Sequence, residues 1–419
     1  MGRDAALNAA VHPGVNGGAC QALVVGGGMA GLAAALVLGR ALHREPAGDS
    51  PVVLLEQADA FSEVGAGLQL GPNATRVLHD WGLSTGLRAC AAFPQALSVR
   101  DALSGAERGR LRLGQRALDR YGSPYATVHR ADLHRLLLDA LQHDGAVDTR
   151  LAQKLQSVEA ISDRVTVRTE AGAAWHAPVL LGCDGLWSRV RALGWADGSP
   201  RYSGHLAYRG LVRMSDLPPA ARRNEVTAWL GPRLHAVHYP VRGGEWLNLV
   251  VVVQGELPAQ VQAWDNEAHR TDLQQALGQA CPDLLRLIDA VPQWRLWPLY
   301  GRVPMTGADQ HARGRVALLG DAAHPMRPYL AQGAAMALED AWTLQACLEG
   351  QSLPDWPAVL RRWAGVRWSR NAWVQARSRR NGTVFHAQGP LKWGRDAAMW
   401  LLGERLLDVP RLYAGPPAP

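Results

Sequence analysis

Gly26-x-Gly28-x-x-Gly31 is the first set of residues whose spacing suits a chemical task. An apolar run, Gln21 to Val25, precedes it, and an Ala/Leu-rich run to about His43 follows. Between a strand and a helix, such glycines can hold a pyrophosphate. The first permits a tight turn, the second lets phosphate meet the backbone, and the third lets helix and strand pack closely. Met29 and Ala30 sit inside the turn, where the helix start favours an anion. Glu56 ends the next apolar run, Pro51 to Glu56, where a carboxylate can accept from both ribose hydroxyls of an adenosine. An acid there suits FAD or NAD and opposes a 2′-phosphate.

A second stretch, Gly320-Asp321-Ala322-Ala323-His324-Pro325-Met326-Arg327-Pro328-Tyr329-Leu330-Ala331-Gln332-Gly333-Ala334, joins the strand-like run Arg315–Leu319 to a helix-like run. Its prolines remove donors and stiffen the loop. His324 reads as a residue that orders this loop. A third stretch is Gly182-Cys183-Asp184-Gly185, at the end of an apolar run. Elsewhere, His235 and Tyr239 are four apart and so share one side of a strand. Histidine is the natural proton-transfer group at neutral pH. The bland alternative is a buried, satisfied histidine beside a core tyrosine. His238 falls on the opposite face.

The elements that must position these residues follow from patterning. The 419 residues are 47% hydrophobic and 19% charged, enough for a packed core. The first part reads as strand, glycine turn, helix, strand, the start of a parallel sheet. Asn73 is placed to cap a helix running to Trp81, and Arg130–His143 is amphipathic. Val165–Arg168 and Ala177–Leu181 read as strands. Four alternating segments, His205–Val212, Val226–Leu230, His235–Tyr239 and Trp246–Val253, read as antiparallel sheet. The fold class is therefore α/β: a Rossmann-like domain with an inserted, mostly antiparallel sheet domain and a helical C-terminus. The expected boundaries are a flexible leader at 1–19, a discontinuous dinucleotide domain at 20–90, 125–200 and 305–350, a substrate-binding sheet domain at 91–124 and 201–304, and a helical region at 351–419. Trp356, Trp363, Trp368 and Trp373 are expected to pack the C-terminal helices or a dimer face.

The net charge of +7 comes almost wholly from dispersed arginine, with lysine only at 154 and 392. Clustered basic tracts are absent, so no nucleic-acid partner is expected. A mild positive field favours small anions. Cys20, Cys90, Cys183, Cys281 and Cys347 show no ligand spacing, so neither metal nor disulfides are expected, and a reducing cytoplasm is the natural location. Ala22–Leu42 is too short and glycine-rich for a membrane span.

The glycine turn, Gly182-Cys183-Asp184-Gly185-Leu186-Trp187-Ser188-Arg189-Val190-Arg191 and the Gly320-Asp321 stretch, in that order, resemble the single-component (class A) flavin-dependent aromatic hydroxylases, the family that includes para-hydroxybenzoate hydroxylase. Tyr208-Arg209-Gly210, His235-x-x-x-Tyr239-Pro240 and Pro328-Tyr329-Leu330-Ala331-Gln332-Gly333 are similar to the hydroxylases of salicylate, 3-hydroxybenzoate and 6-hydroxynicotinate. Ala331 stands where many members have Gly, and Ala335 where many have Asn. The resemblance implies bound FAD, NADH or NADPH as a transient co-substrate, and a small phenolic aromatic acid. Oxygen would add at carbon 4a of the reduced flavin, and the hydroperoxide would pass OH to the ring. It further implies Asp321 on the ribityl chain, Asp184 near both cofactors, Arg130 toward the FAD phosphates or ribityl, and Gly65, Ala66, Gly67, Gly333 and Ala334 beside the flavin ring. His235, Tyr239, Gln332 and Pro328 would face the substrate. A homodimer is a candidate assembly. The rival readings are a same-fold tailoring hydroxylase or epoxidase on a larger aromatic, a flavin-binding regulator without turnover, and an NAD-dependent dehydrogenase.

Overall fold

Alternation along the strand Ala22–Val25 divides the first domain into two layers. Ala22 and Val24 pack with the helices Met29–Leu42, Arg130–Asp144 and Gly333–Leu348. Leu23 and Val25 pack on the other side with Leu155, Val165, Val167 and Trp175 of a four-stranded sheet. A strand apolar on both faces belongs inside a parallel sheet, and this one does. The computed structural model describes residues 17–42, 52–61, 66–257, 266–351 and 353–416. Gly65 and residues 1–16 of the expected leader lie outside the described residues.

The central sheet runs in the order 312–313, 316–318, 180–182, 22–25, 52–55, 147–150. Leu181 lies opposite both Val24 and Ala317, so three segments remote in sequence meet at one level. The run read as a single strand, Ala177–Leu181, is two. Ala174–Ala177 joins the four-stranded sheet, and Leu180–Gly182 joins the central one. Pro178, without an N–H, stands at the break.

The second large sheet has eight strands in the order 266–268, 294–301, 201–213, 246–254, 234–241, 225–231, 96–101, 107–112. Leu206, Tyr208, Leu249, Val251 and Val253 bury its reverse face against Leu273, Leu284 and Ile288 of two short helices. Its front face carries Arg209, His235, Val237, Tyr239, Val250 and Val252, by the registers Arg209↔Val250, Val237↔Val250 and His235↔Val252.

The 30-residue helix Trp356–Phe385 packs along Gly333–Leu348. Trp356 and Trp363 are core residues, and the Trp363 indole donates to the Asp340 carbonyl at 2.9 Å. Between these helices lies a buried charge network. Glu339 accepts from Arg367 at 2.9 Å and from Arg370 at 2.6 Å. Asp340 accepts from Arg367 and Asn371, each at 2.9 Å, from the Gly320 amide at 3.1 Å and from His324 at 2.6 Å. His324 therefore orders its loop. Asn73 does not cap its helix. That helix starts at Pro72 after Gly71, and Asn73 is buried in the first turn. Its amide donates to Gln332 at 3.0 Å and Glu339 at 2.8 Å, because tertiary partners outweigh the local cap. Ala331 holds φ +52°, a left-handed conformation that favours glycine.

Three stability outcomes follow. Arg367→Leu strands two buried carboxylates and lowers unfolding free energy by about 3–5 kcal/mol. Removing the exposed Lys154–Glu170 pair by Lys154→Ala changes it by less than about 1 kcal/mol. Ala331→Gly relieves backbone strain of about 1–2 kcal/mol against a chain-entropy cost of about 0.5–1 kcal/mol. The variant should be the more stable, and denaturant titrations read all three.

Candidate active site

The three glycines of the turn do different jobs. Gly26 has φ +104°, and a Cβ there would lie 2.5 Å from the Cys183 carbonyl oxygen. A Cβ on Gly31 would lie 1.7 Å from the Gly26 oxygen. A Cβ on Gly28 would meet nothing within 4 Å: this glycine faces open space. Met29 and Ala30 are buried in the first helical turn. Gly320, φ +58°, packs so close to Ala30 that a Cβ would come within 2.7 Å of the Ala30 methyl. The turn and the Gly320-Asp321 stretch are thus in contact. Glu56 accepts from the Gly27 amide at 2.6 Å and the Ala58 amide at 2.8 Å.

A cavity of about 550 Å³ runs from this turn to the second sheet. Of the residues singled out in the sequence, Gly26, Gly28, Glu56, Arg130, Asp184, Asp321 and Pro328 line it. Arg209, Trp297 and Tyr300 face them across it, with the Arg209 guanidinium 3.7 Å from the Trp297 ring centre. Asp184 is anchored by Ser188 Oγ at 2.5 Å and the amides of Arg189 and Val190 at 2.7 and 3.0 Å, which start the helix Arg189–Trp195. Burial still pushes its pKa up. Asp321 is also raised by the surrounding protein, against the pull of His324 and Arg130. Its surface is nonetheless exposed to the cavity, and water there moderates that push.

These residues fit an elongated dinucleotide. Gly28 leaves room for backbone approach, and Asp321 and Arg130 offer an acceptor and a cation. The helix Gly333–Leu348 begins without a side-chain cap or an acid in its first turn, so its amides remain for an anionic partner. Gly333 and Ala334 form that first turn, and the nearest atom to a Cβ on Gly333 would be Asp321 Oδ1 at 4.0 Å. Gly67 is different. Its amide donates to Asn248 at 2.7 Å, and a Cβ would lie 2.6 Å from the Tyr239 ring, so it joins the second sheet rather than the cavity wall.

His235, Tyr239 and Gln332 do not line the cavity either. His235 and Tyr239 do share the front face of Leu234–Val241, and His238 lies on the reverse. Tyr239 packs with Leu111, Tyr125 and Val226, and burial raises its phenol. The Gln332 carbonyl is taken by Asn73. His235 Nδ1 lies 2.8 Å from His386 Nε2, with the Tyr329 and Phe385 rings at 5.0 and 5.5 Å. Burial, then His386 and His205, hold His235 well below its ordinary pKa, and His386 is lowered to about 3. All are neutral at pH 7. Among the described residues, His205 Nε2, His386 Nδ1 and Tyr329 Oη are buried without hydrogen-bond partners. Three orphaned polar groups around one histidine mark a place suited to a polar guest. His205, Tyr329 and His386 were not singled out as site residues. Tyr329 lies inside the recognised loop, whereas nothing in sequence distinguishes His386, just past a long helix. His311, His324 and Asp340 also cluster, but Leu318, Asn371 and Arg367 already engage His311 and Asp340, so this is part of the charge network.

Among the described residues, no helix is long and apolar enough to cross a membrane. The family described as an FAD binding domain matches residues 19–354. The chain is 38% identical over 368 residues to 3-hydroxybenzoate 6-hydroxylase of Polaromonas naphthalenivorans (strain CJ2), covering 88% of each protein. It is 37% identical over 398 residues to 3-amino-4-hydroxybenzoate 2-monooxygenase PtmB3 of Streptomyces platensis, covering 94% of this chain and 96% of that one. Its fold matches that of Klebsiella pneumoniae HpxO, solved with FAD and uric acid, at a TM-score of 0.80 and 24% identity, over 93% of this chain and 94% of the other. The chain belongs to the FAD binding domain family, as an FAD-dependent aromatic monooxygenase.

Proposed function

We propose that the protein hydroxylates a small phenolic aromatic acid of the 3-hydroxybenzoate or salicylate type, with NADH or NADPH as transient reductant and O2 as oxidant. The observation that carries this reading is the buried, neutral His235–His386 pair, set among orphaned polar groups beside the Pro328–Leu330 segment. The relatives' named substrates are hydroxylated benzoates. Bound FAD would supply oxygen activation, held by Glu56, Arg130, Asp321 and the backbone at Gly28 and Gly333. Asp184 is the wall residue against which the nicotinamide cofactor would pass.

The chain's own task is to ready the phenol and keep water out. If His235 Nδ1–H donates to His386 Nε2, the other ring nitrogen, Nε2, keeps its lone pair and can accept the phenol proton. His386 is then a positioning residue that sets the tautomer. Gln332 would hydrogen-bond the substrate, Tyr239 and Pro328 would shape its seat, and Arg209 in the cavity wall would meet the carboxylate. This requires the substrate to reach past Pro328 and Tyr329. We assign segments 20–90, 125–200 and 305–350 to cofactor binding, 91–124 and 201–304 to the substrate, and 351–419 to clamping the cofactor helix. A homodimer accords with Trp393 and Trp400, 71% and 81% exposed on the helix Gly389–Leu402.

Three measurements test this. With FAD-loaded protein, hydroxylated benzoates should accelerate NADH or NADPH oxidation at least about tenfold, and mass spectrometry should find a product heavier by one oxygen. Stimulation only by large apolar aromatics, or by nothing, rejects the substrate class. His235→Asn should lower kcat by about 10²–10⁴-fold with flavin content unchanged. In the wild type, a base that must be unprotonated loses activity as pH falls through its pKa. Burial places that acid limb below the ordinary histidine value of about 6.5; a limb at or above it would count against His235.

A further inference from the structure

We propose that the reverse face of the eight-stranded sheet carries a second binding site, built for a small aromatic carboxylate and separate from the cofactor cavity. A cavity of about 430 Å³ opens there, between the strands Ala96–Asp101, Glu225–Gly231 and Leu234–Val241, the segment around Leu217–Arg223 and the helix Pro282–Ala290. Its floor is aromatic. Trp229 and His238, 3% and 7% exposed, lie with ring centres 6.2 Å apart and planes 29° from parallel. Each has a buried ring nitrogen without a hydrogen-bond partner, Trp229 Nε1 and His238 Nδ1. Leaving two such groups unpaired is costly unless something supplies the bonds.

The walls specify the guest. Arg100 lies over the Trp229 ring at 5.6 Å, and Arg223 and Arg286 line the rim. Asp283 is the one acid in the lining and pairs with Arg286, and Arg100 lies 3.8 Å from Glu107, so the cationic character of the cavity rests on Arg223. The indole N–H can only donate, so the guest must present an acceptor. Leu217, Pro218 and Leu287 make the remaining walls apolar. Burial, then the charges of Arg100 and Arg223, hold His238 near pKa 4, so at neutral pH it serves as a neutral hydrogen-bonding ring. A flat apolar face with one anionic edge meets every one of these demands. A bare inorganic anion leaves the aromatic floor unused, and a neutral hydrocarbon leaves the Arg223 charge and the indole N–H unanswered.

The site also has a line to the chemistry. Strand Leu234–Val241 presents His238 to this cavity and His235 to the other side of the sheet.

Equilibrium dialysis of the FAD-loaded protein against benzoate tests the proposal, with flavin absorbance recorded in parallel as the reporter of the cofactor cavity. The wild type should bind two benzoates per chain, only one of them perturbing the flavin spectrum. Arg223→Glu, a change at an exposed position, and Trp229→Phe, which keeps the ring but removes the N–H, should each weaken the silent site at least about tenfold. The flavin-perturbing site should be unchanged in both. A single benzoate per chain in the wild type that perturbs the flavin, or two unaltered sites in both variants, overturns the second site. Loss of the flavin-perturbing site alone would instead speak against the proposed function, so the two failures are distinguishable.

Discussion

Two adjacent acids in one buried helix, Glu339 and Asp340, impose the constraint on which the cavity depends. Burial alone would push both carboxyl groups up. For Asp340 its contacts with His324 and Arg367 outweigh it; for Glu339 the Arg370 hydrogen bond and the Arg367 charge do the same. Both are thereby held below their ordinary range. Two carboxylates meet two guanidiniums, and His311 is held near pKa 3 chiefly by burial, so it adds no charge. Such a network is not in itself a source of large net stability, since desolvation opposes pairing. Its effect is geometric. Each acid has partners on other segments, and none can move without leaving a charge unmet.

The consequence reaches the cavity through short links. Asp340 takes the Gly320 amide and His324, which fixes both ends of the turn bearing Asp321. Glu339 accepts from Asn73, and the same Asn73 amide donates to the side chain of Gln332, the residue just before the uncapped helix start. Within this frame Ala331 can be kept in a left-handed conformation that a free loop would abandon. The amides at the uncapped helix start and the Asp321 carboxylate are therefore positioned by groups buried behind them, as pre-organisation requires.

Features governed by local rules were readable from sequence. The glycine turn was visible because two of its glycines are forced by contacts within a few ångströms of the turn, and the spacing records those contacts. Alternation exposed the strand faces, and so the pairing of His235 with Tyr239 and the separation of His238. What could not be read was the choice among equals. Arg367 and Arg370 lie 28 and 31 residues from Glu339 in an arginine-rich chain, and nothing local marks them as its partners. Asn73 follows a capping rule that tertiary contacts override. His386 gains meaning only because the end of a long helix delivers it to His235.

The same comparison explains why the site separates into an open and a closed part. The cavity wall mixes apolar and polar surface, and it is charged at Asp321, Arg130 and Glu56, which suits a charged ligand. The histidine cluster behind it is dry, aromatic and uncharged. In the proposed role His235 would not be tuned by a nearby carboxylate, for the rings around it are those of His386, Tyr329 and Phe385. It would be tuned by desolvation, which keeps it unprotonated, and by the tautomer its neighbour permits. Accepting a proton there creates a buried charge, so the proton is held weakly and must be passed on or shared with the phenol oxygen. A weak, correctly oriented acceptor biases a phenol toward phenolate character without trapping the proton. In the proposed reaction that bias is what ring hydroxylation would need, and a fully exposed histidine could not supply it without admitting water.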